Sequence, residues 1–448
     1  MKGTKRYLVL LSCLFLITSL VSACSSTSNN ANGNKPSESQ PSGSQQNESA
    51  SKNDGNKVSI TFWNMFGGGD GAIMTEIVKK FNEEYKGKIE VKAMTQDWDQ
   101  FYTKLQTAVA GGTAPDLAIS HASKLSELVE AGVIEPMGAS ADANGVDWSS
   151  FNQNILNSTI FNDVHYAIPL DAHPLIFYYN KKILRDLNLL IDDKPAIEPG
   201  PNGFVNFLKK IKEGAPKGVS NLGLNSKGET PYRFWWALYN QLNGPQMIDA
   251  SGTKVMLNNE QGKKAAEFVN GLFNDGIVRK NQDKSSEEFQ AGKVALLLDG
   301  VWSTSSFEAT KDLEFGAMPV PQIYDKPATW IDSHTFVLPK QKKGEDQNKI
   351  NAAIVFAKWV TDHAAIWSQA GHIPTTTAAI NSDAFKKMPL RQDYLQAASD
   401  GKYLPKTPKM WPIKDQLVQA LEGIWQGRSS VDQGLDSAVK NMEKLLSR

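Results

Sequence analysis

Cysteine is almost absent: the chain has two, Cys13 and Cys24, both near its beginning. That count excludes a disulfide framework and a cysteine-rich zinc site. Charge of neither sign is in excess, since 48 Lys and Arg face 48 Asp and Glu. A protein whose main task is coating nucleic acid would need a basic surplus. An apolar run of about 20 residues, long enough to cross a bilayer, is also missing. Recognisable catalytic motifs are lacking too. The histidines, His121, His165, His173, His334, His363 and His372, show no metal-ligand spacing such as H-E-x-x-H. Neither a G-x-S-x-G elbow nor a Walker loop occurs. The expectation is therefore no metal and no cofactor. A glycosidase built on two carboxylates distant in sequence is the enzyme class left open.

What is there begins with an address. Lys2, Lys5 and Arg6 precede an apolar stretch, Tyr7 to Leu20, broken only by Ser12, Cys13, Thr18 and Ser19. Its length fits the h-region of a secretory signal peptide. Leu20-Val21-Ser22-Ala23-Cys24 then resembles a bacterial lipobox. That resemblance implies a signal peptide over 1–23, cleavage before Cys24, and lipid on Cys24. The remainder is expected outside the cell membrane and anchored to it. Loss of the leader removes three basic groups, leaving 45 against 48 acidic ones. Residues 25–56 contain no Val, Ile, Leu, Met, Phe, Trp or Tyr. Such a stretch cannot bury enough apolar surface to offset the entropy of ordering. Residues 24–56 therefore read as a lipidated tether with a reach of roughly 30 Å, a design suited to a Gram-positive surface.

From residue 57 onward the composition is that of a globular protein, and the full length of 448 residues allows about three domains or two large ones. Short apolar runs alternate with amphipathic stretches. Val58–Trp63 reads as a strand, Ala72 to Tyr85 as a helix with Ile73, Ile77, Val78 and Phe81 on one face, and Ile89–Met94 as a second strand. A helix from Trp98 to Ala110 ends at Gly111-Gly112, and Leu117–Ile119 is a third strand followed by a helix over Lys124–Glu130. Further strands are expected at Leu175–Tyr179, Val294–Leu298, Phe315–Met318 and Thr335–Leu338. The alternation defines an α/β fold with ligands expected at strand carboxyl ends. Gly67-x-Gly69-x-x-Ala72, with Asp97 further on, imitates a dinucleotide fingerprint. Three residues part the strand from the first glycine, however, and an exported protein lacks NAD. The glycines read instead as a loop whose amides face a cleft.

The positive signal is aromatic. Among 11 tryptophans, Trp63, Trp302, Trp330 and Trp411 stand where strands end or loops begin, and Tyr232, Trp235 and Trp236 form a cluster. Polar neighbours accompany them: Asn64 beside Trp63, Asp299 near Trp302, and Asp332-Ser333-His334 after Trp330. A pyranose has a C–H face that stacks on indole and rim hydroxyls that seek carboxylate, amide or imidazole, so this pattern suits a sugar pocket. Trp98, Trp148, Trp359, His363, Trp367 and Trp425 read as packing.

Four segments in a shared order carry a resemblance. They are the Trp63-Asn64 strand end, Gly112-Thr113-Ala114-Pro115-Asp116-Leu117, the stretch from His165 through Asp171 to Lys181, and Ala291 through Asp299-Gly300-Val301-Trp302. In this order they resemble the extracellular solute-binding proteins of sugar-importing ABC transporters, the group that includes maltose-binding protein. The resemblance implies a two-lobe, periplasmic-binding-protein-like (type II) α/β fold with a ligand cleft between lobes. It places one lobe at 57–171 plus about 317–366 and the other at 172–316 plus about 367–448. It further implies a monomer that binds carbohydrate, performs no catalysis, and docks on permease subunits. Carried over by motif, the ligand positions are Trp63, Asn64, His173, Tyr232, Trp235, Trp302 and Trp411. His173 stands where maltose-type members have a carboxylate, and Asp171 is the candidate replacement. Asp299, Asp332 and His334 complete the expected site, and His372 is expected near the cleft. A secreted glycoside hydrolase, or a sensory or adhesion lipoprotein using the same clamp, is the competing reading.

Overall fold

In the strand Val58–Asn64, Ile60, Phe62 and Asn64 point inward. It pairs in parallel with Ile89–Thr95 and Leu117–His121. These strands belong to a computed structural model that describes residues 57–344 and 346–447. The expected signal peptide, Cys24 and the tether lie outside the described residues. The first connecting helix, Gly68–Glu84, buries Met74, Ile77, Val78 and Phe81, a spacing of one helical face. It begins four residues earlier than the apolar pattern suggests, because Gly67 caps it and Asp70 in its first turn complements the positive end of the helix dipole. The second, Phe101–Gly111, stops at Gly112, which takes a left-handed φ of 77° at no steric cost.

Two sheets follow from the strand pairings. The first has the order Ile89–Thr95, Val58–Asn64, Leu117–His121, His334–Pro339, Ile134–Glu135, with Ala167–Pro169 also on His334–Pro339. The second has the order Ser220–Gly223, Val294–Gly300, Asp171–Asn180, Thr329–Asp332, Gly401–Lys402. Phe315–Pro319 and Ile373–Pro374 pair with Asp171–Asn180 as well. All ten residues of Asp171–Asn180 are buried, as expected of a strand covered on both faces.

The chain passes between sheets at Leu170, where Ala167–Pro169 leads into Asp171–Asn180, and returns at Ser333, where Thr329–Asp332 leads into His334–Pro339. The chain does not return near residue 317 as expected: Phe315–Pro319 and Thr329–Asp332 both hydrogen-bond to the crossing strand in the second sheet. Each sheet has its own core. Ile60, Phe62, Phe81, Leu105, Phe336 and Phe356 fill the first; Phe204, Phe234, Trp235, Leu296, Leu417 and Trp425 fill the second. The helix Met410–Trp425 belongs to the second core yet also touches the helix Ala122–Glu130 of the first lobe.

Candidate functional site

Strand register assembles the floor of the cleft. In the first sheet His334 lies opposite His121, and in the second Asp332 lies opposite His173. The two crossing points thus bring four polar residues, distant in sequence, to one place. Asp171, fully buried, is their anchor. Its Oδ1 accepts from His173 Nδ1 at 2.9 Å and from the His334 backbone N–H at 3.0 Å; its Oδ2 accepts from His334 Nδ1 and Trp367 Nε1, both at 2.7 Å. Burial pushes the Asp171 carboxyl up, but His334, His372 and His173 around it outweigh that and hold it well below the carboxylate range. His372 stands between two carboxylates, with Nε2 3.1 Å from Asp70 Oδ2 and Nδ1 3.3 Å from Asp171 Oδ2. Burial pushes its imidazole down, and Asp171 and Asp70 more than restore it, so its pKa is raised.

Two imidazoles present opposite polarity to the cleft. An ionised carboxylate only accepts, so the His173 proton sits on Nδ1 toward Asp171 and Nε2 is left as an acceptor. Burial and the neighbouring His334 push the His173 pKa down to about 3, so the ring is neutral. The His121 backbone N–H donates to the Tyr102 hydroxyl at 2.9 Å, and that hydroxyl donates to His121 Nδ1 at 2.7 Å. His121, also neutral because burial disfavours its charge, therefore carries its proton on Nε2 and offers a donor.

Aromatic faces form the walls. Trp302, Trp330, Trp411 and Trp98 line a cavity of about 310 Å3 together with Phe66, Asp70, His121, His173, Glu229, Arg233, Asp332, His334 and Lys414. That volume lies at the lower end of ligand pockets. Trp302 and Trp330 meet edge to face at 6.4 Å, and the Arg233 guanidinium lies 4.1 Å from the Trp330 centroid and 5.3 Å from that of Trp302. The Trp302 ring is seated by Gly300: a Cβ there would fall 2.1 Å from the ring. Trp98 stacks at 26° on Trp411, whose indole N–H donates to Ser123 Oγ at 3.1 Å. Ser123 Oγ in turn donates to Asp332 Oδ2 at 2.5 Å. This relay links a helix of the second lobe to a helix of the first. Burial foremost raises the Asp332 carboxyl pKa.

The cations are balanced in place. Glu229 pairs with both Arg233 and Lys414; burial raises its pKa, but the two cations prevail and hold it at about 2. The cleft thus offers polar groups and aromatic faces with little unpaired charge.

Of the residues singled out from the sequence, the structure brings His173, Trp302, Asp332, His334 and Trp411 to the cavity. Asp171 and His372 lie directly beneath its floor. The others go elsewhere. Trp63 packs against the first core. Asn64 is buried, and its Oδ1 accepts from the Phe66 backbone N–H and from Thr95 Oγ1. Tyr232 is buried in the second core, and Trp235 there donates to the Gly262 carbonyl. Asp299 accepts from Ser286 Oγ, Ser303 Oγ and the Gly300 N–H. Trp98, expected to pack, is 47% exposed and lines the cavity. Arg233, Glu229 and Lys414 were not anticipated; the i, i+4 pair Glu229–Arg233 on the helix bearing Tyr232 was the available signal.

Two α/β lobes joined by crossing strands, with an aromatic cleft where they meet, define a clamp-type ligand-binding protein. The chain belongs to the bacterial extracellular solute-binding proteins, whose family model matches residues 68–366. The maltodextrin-binding protein MdxE of Bacillus subtilis is 21% identical over 390 residues, covering 82% of this chain and 89% of that protein. The GacH receptor of Streptomyces glaucescens, solved unliganded and with acarbose, superposes with a TM-score of 0.76 at 17% identity, covering 88% of this chain and 99% of that one. UgpB of Mycobacterium tuberculosis, solved with glycerophosphocholine, gives a TM-score of 0.75 at 22% identity, covering 87% and 98%.

Proposed function

We propose that this protein captures a sugar or oligosaccharide in the interlobe cleft and delivers it to an ABC transporter permease. It is held as a monomer on the outer side of a Gram-positive cell membrane by lipid on Cys24. The observation that carries the reading is the pairing of indole walls with a floor of oriented imidazoles. A sugar ring stacks its C–H face on Trp302. A hydroxyl donates to His173 Nε2 and another accepts from His121 Nε2. Closing the lobes adds contacts available only when both sides meet the ligand, which stabilises the closed form. MdxE is named a maltodextrin-binding protein and GacH was solved in complex with acarbose, which supports a carbohydrate ligand here.

Balanced charge favours a neutral ligand over a phosphodiester such as the UgpB ligand, because Glu229 already occupies both cleft cations. The hydrolase reading needs two available carboxylates, whereas Asp332 already accepts from Ser123 and Ser333 and Glu229 is paired twice. The test is a thermal-shift panel of mono- and oligosaccharides with glycerophosphocholine included, followed by chromatography of each stabilising compound. Stabilisation by a neutral glycan recovered intact supports the reading. Stabilisation by glycerophosphocholine alone, or steady release of shortened glycan, overturns it.

A further inference from the structure

We propose that the protein also holds one divalent transition-metal ion of the zinc type beneath the cleft floor, bound by Asp171, His173, His334 and His372. One potential ligand atom from each lies within 4.8 Å of all the others, and all four residues are buried. They come from three chain segments: Asp171 and His173 on the crossing strand, His334 on the returning strand, and His372 just before Ile373–Pro374. One carboxylate with three imidazoles is a donor set for such an ion; magnesium and calcium prefer oxygen.

Two features of His372 suit an ion at this position. Its Nδ1 is buried without a hydrogen-bond partner among the described residues, and it faces Asp171 Oδ2 at 3.3 Å. Two ligand atoms each about 2.0–2.1 Å from a tetrahedral ion stand roughly 3.3 Å apart. On the other side of the ring, Nε2 meets Asp70 Oδ2 at 3.1 Å, the carboxylate–histidine arrangement that fixes metal-binding imidazoles. Trp367 Nε1, 2.7 Å from Asp171 Oδ2, is the matching outer partner of the carboxylate. The contact of Asp171 Oδ2 to His334, 2.7 Å, would open by about half an ångström to reach the same tetrahedral spacing; His173, 2.9 Å from the other oxygen, Oδ1, would turn toward the ion, and the set would contract from its spread of up to 4.8 Å.

Metal entry relocates protons. Coordination through Nδ1 shifts the His173 and His334 protons to Nε2, and any proton on His372 Nδ1 leaves to solvent. The Nε2 atoms of His173 and His334 then donate toward the cleft, so the hydroxyl contact given above for His173 Nε2 belongs to the metal-free chain and is reversed when the ion is bound.

The experiment uses the full chain, stripped with chelator and dialysed against Zn(II), Ni(II) or Co(II) alone. Metal content is read by mass spectrometry, unfolding by thermal melting, and geometry by Co(II) absorption. The expected result is one equivalent per chain, a raised melting temperature, and the intense visible bands of four-coordinate Co(II). His372→Ala should weaken binding by about a hundredfold and Asp70→Asn by about tenfold, while His363→Ala, outside the cluster, leaves it unchanged. No retained metal, weak six-coordinate Co(II) bands in the unaltered chain, or binding unaffected by His372→Ala would overturn the proposal. The Co(II) spectrum needs no variant, so it decides even if a variant fails to fold. None of these readouts depends on carbohydrate binding.

Discussion

The second lobe contains two pairs of tryptophans with different fates, although Trp330 is about as buried as Trp236 and shares its core. Trp235 and Trp236 sit within the helix Glu229–Gln241, both buried, their indole N–H groups spent on the carbonyls of Gly262 and Lys402. Trp302 lies just beyond the end of the strand Val294–Gly300 and Trp330 within the short strand Thr329–Asp332, and both face the cavity. The difference is one of position in the fold rather than residue type. A helix packed between a sheet and other helices turns its aromatics into the core, whereas residues near the crossing strands are delivered to the junction of the lobes.

Substitutions on each side separate the two roles. Trp235→Ala should have the largest effect on folding, a loss of about 3–5 kcal/mol measured by chemical denaturation, with ligand affinity of the folded fraction unchanged. Trp302→Ala should do the reverse: affinity about 30-fold weaker, near 2 kcal/mol, with a small change in melting temperature. Equal affinity losses from both would erase the distinction. Gly300→Ala, which touches no ligand, should weaken binding by about tenfold, because its methyl would displace the Trp302 ring; calorimetry on that variant tests the seating directly.

The smallest effect concerns charge. The folded-state pKa of Glu229, about 2, lies below its ordinary 4.5. Its ion pairs therefore stabilise the fold above about pH 4.5, and that contribution fades as pH falls toward 2. The group is partly exposed, so the loss should be under about 1 kcal/mol. Denaturation curves from pH 6 to 3 should fall more shallowly for Glu229→Gln than for the unaltered chain.

Much of the first lobe was legible because its strands and helices keep clean periods; Phe62, Ile77, Val78 and Phe81 are buried as their spacing predicts. The return crossing was not, since Phe315–Pro319 carries no mark of which sheet it joins. At the site, Trp302 and Trp411 were visible as aromatics near element boundaries. The imidazole floor was only half visible. Asp171 and His334 are 163 positions apart, and no local spacing reveals that two strand ladders place them side by side. Trp235 and Tyr232 misled because carry-over by motif places a residue on an element without fixing which way its side chain turns.

The most direct test of the account is calorimetric titration of the full chain and of Trp302→Ala with the best stabilising glycan, the sugar being recovered and weighed afterwards. The account predicts one site of about micromolar affinity, roughly thirtyfold weaker in the variant, with the glycan unchanged in mass. Equal affinity in both proteins, or fragments in the recovered sugar, would contradict it.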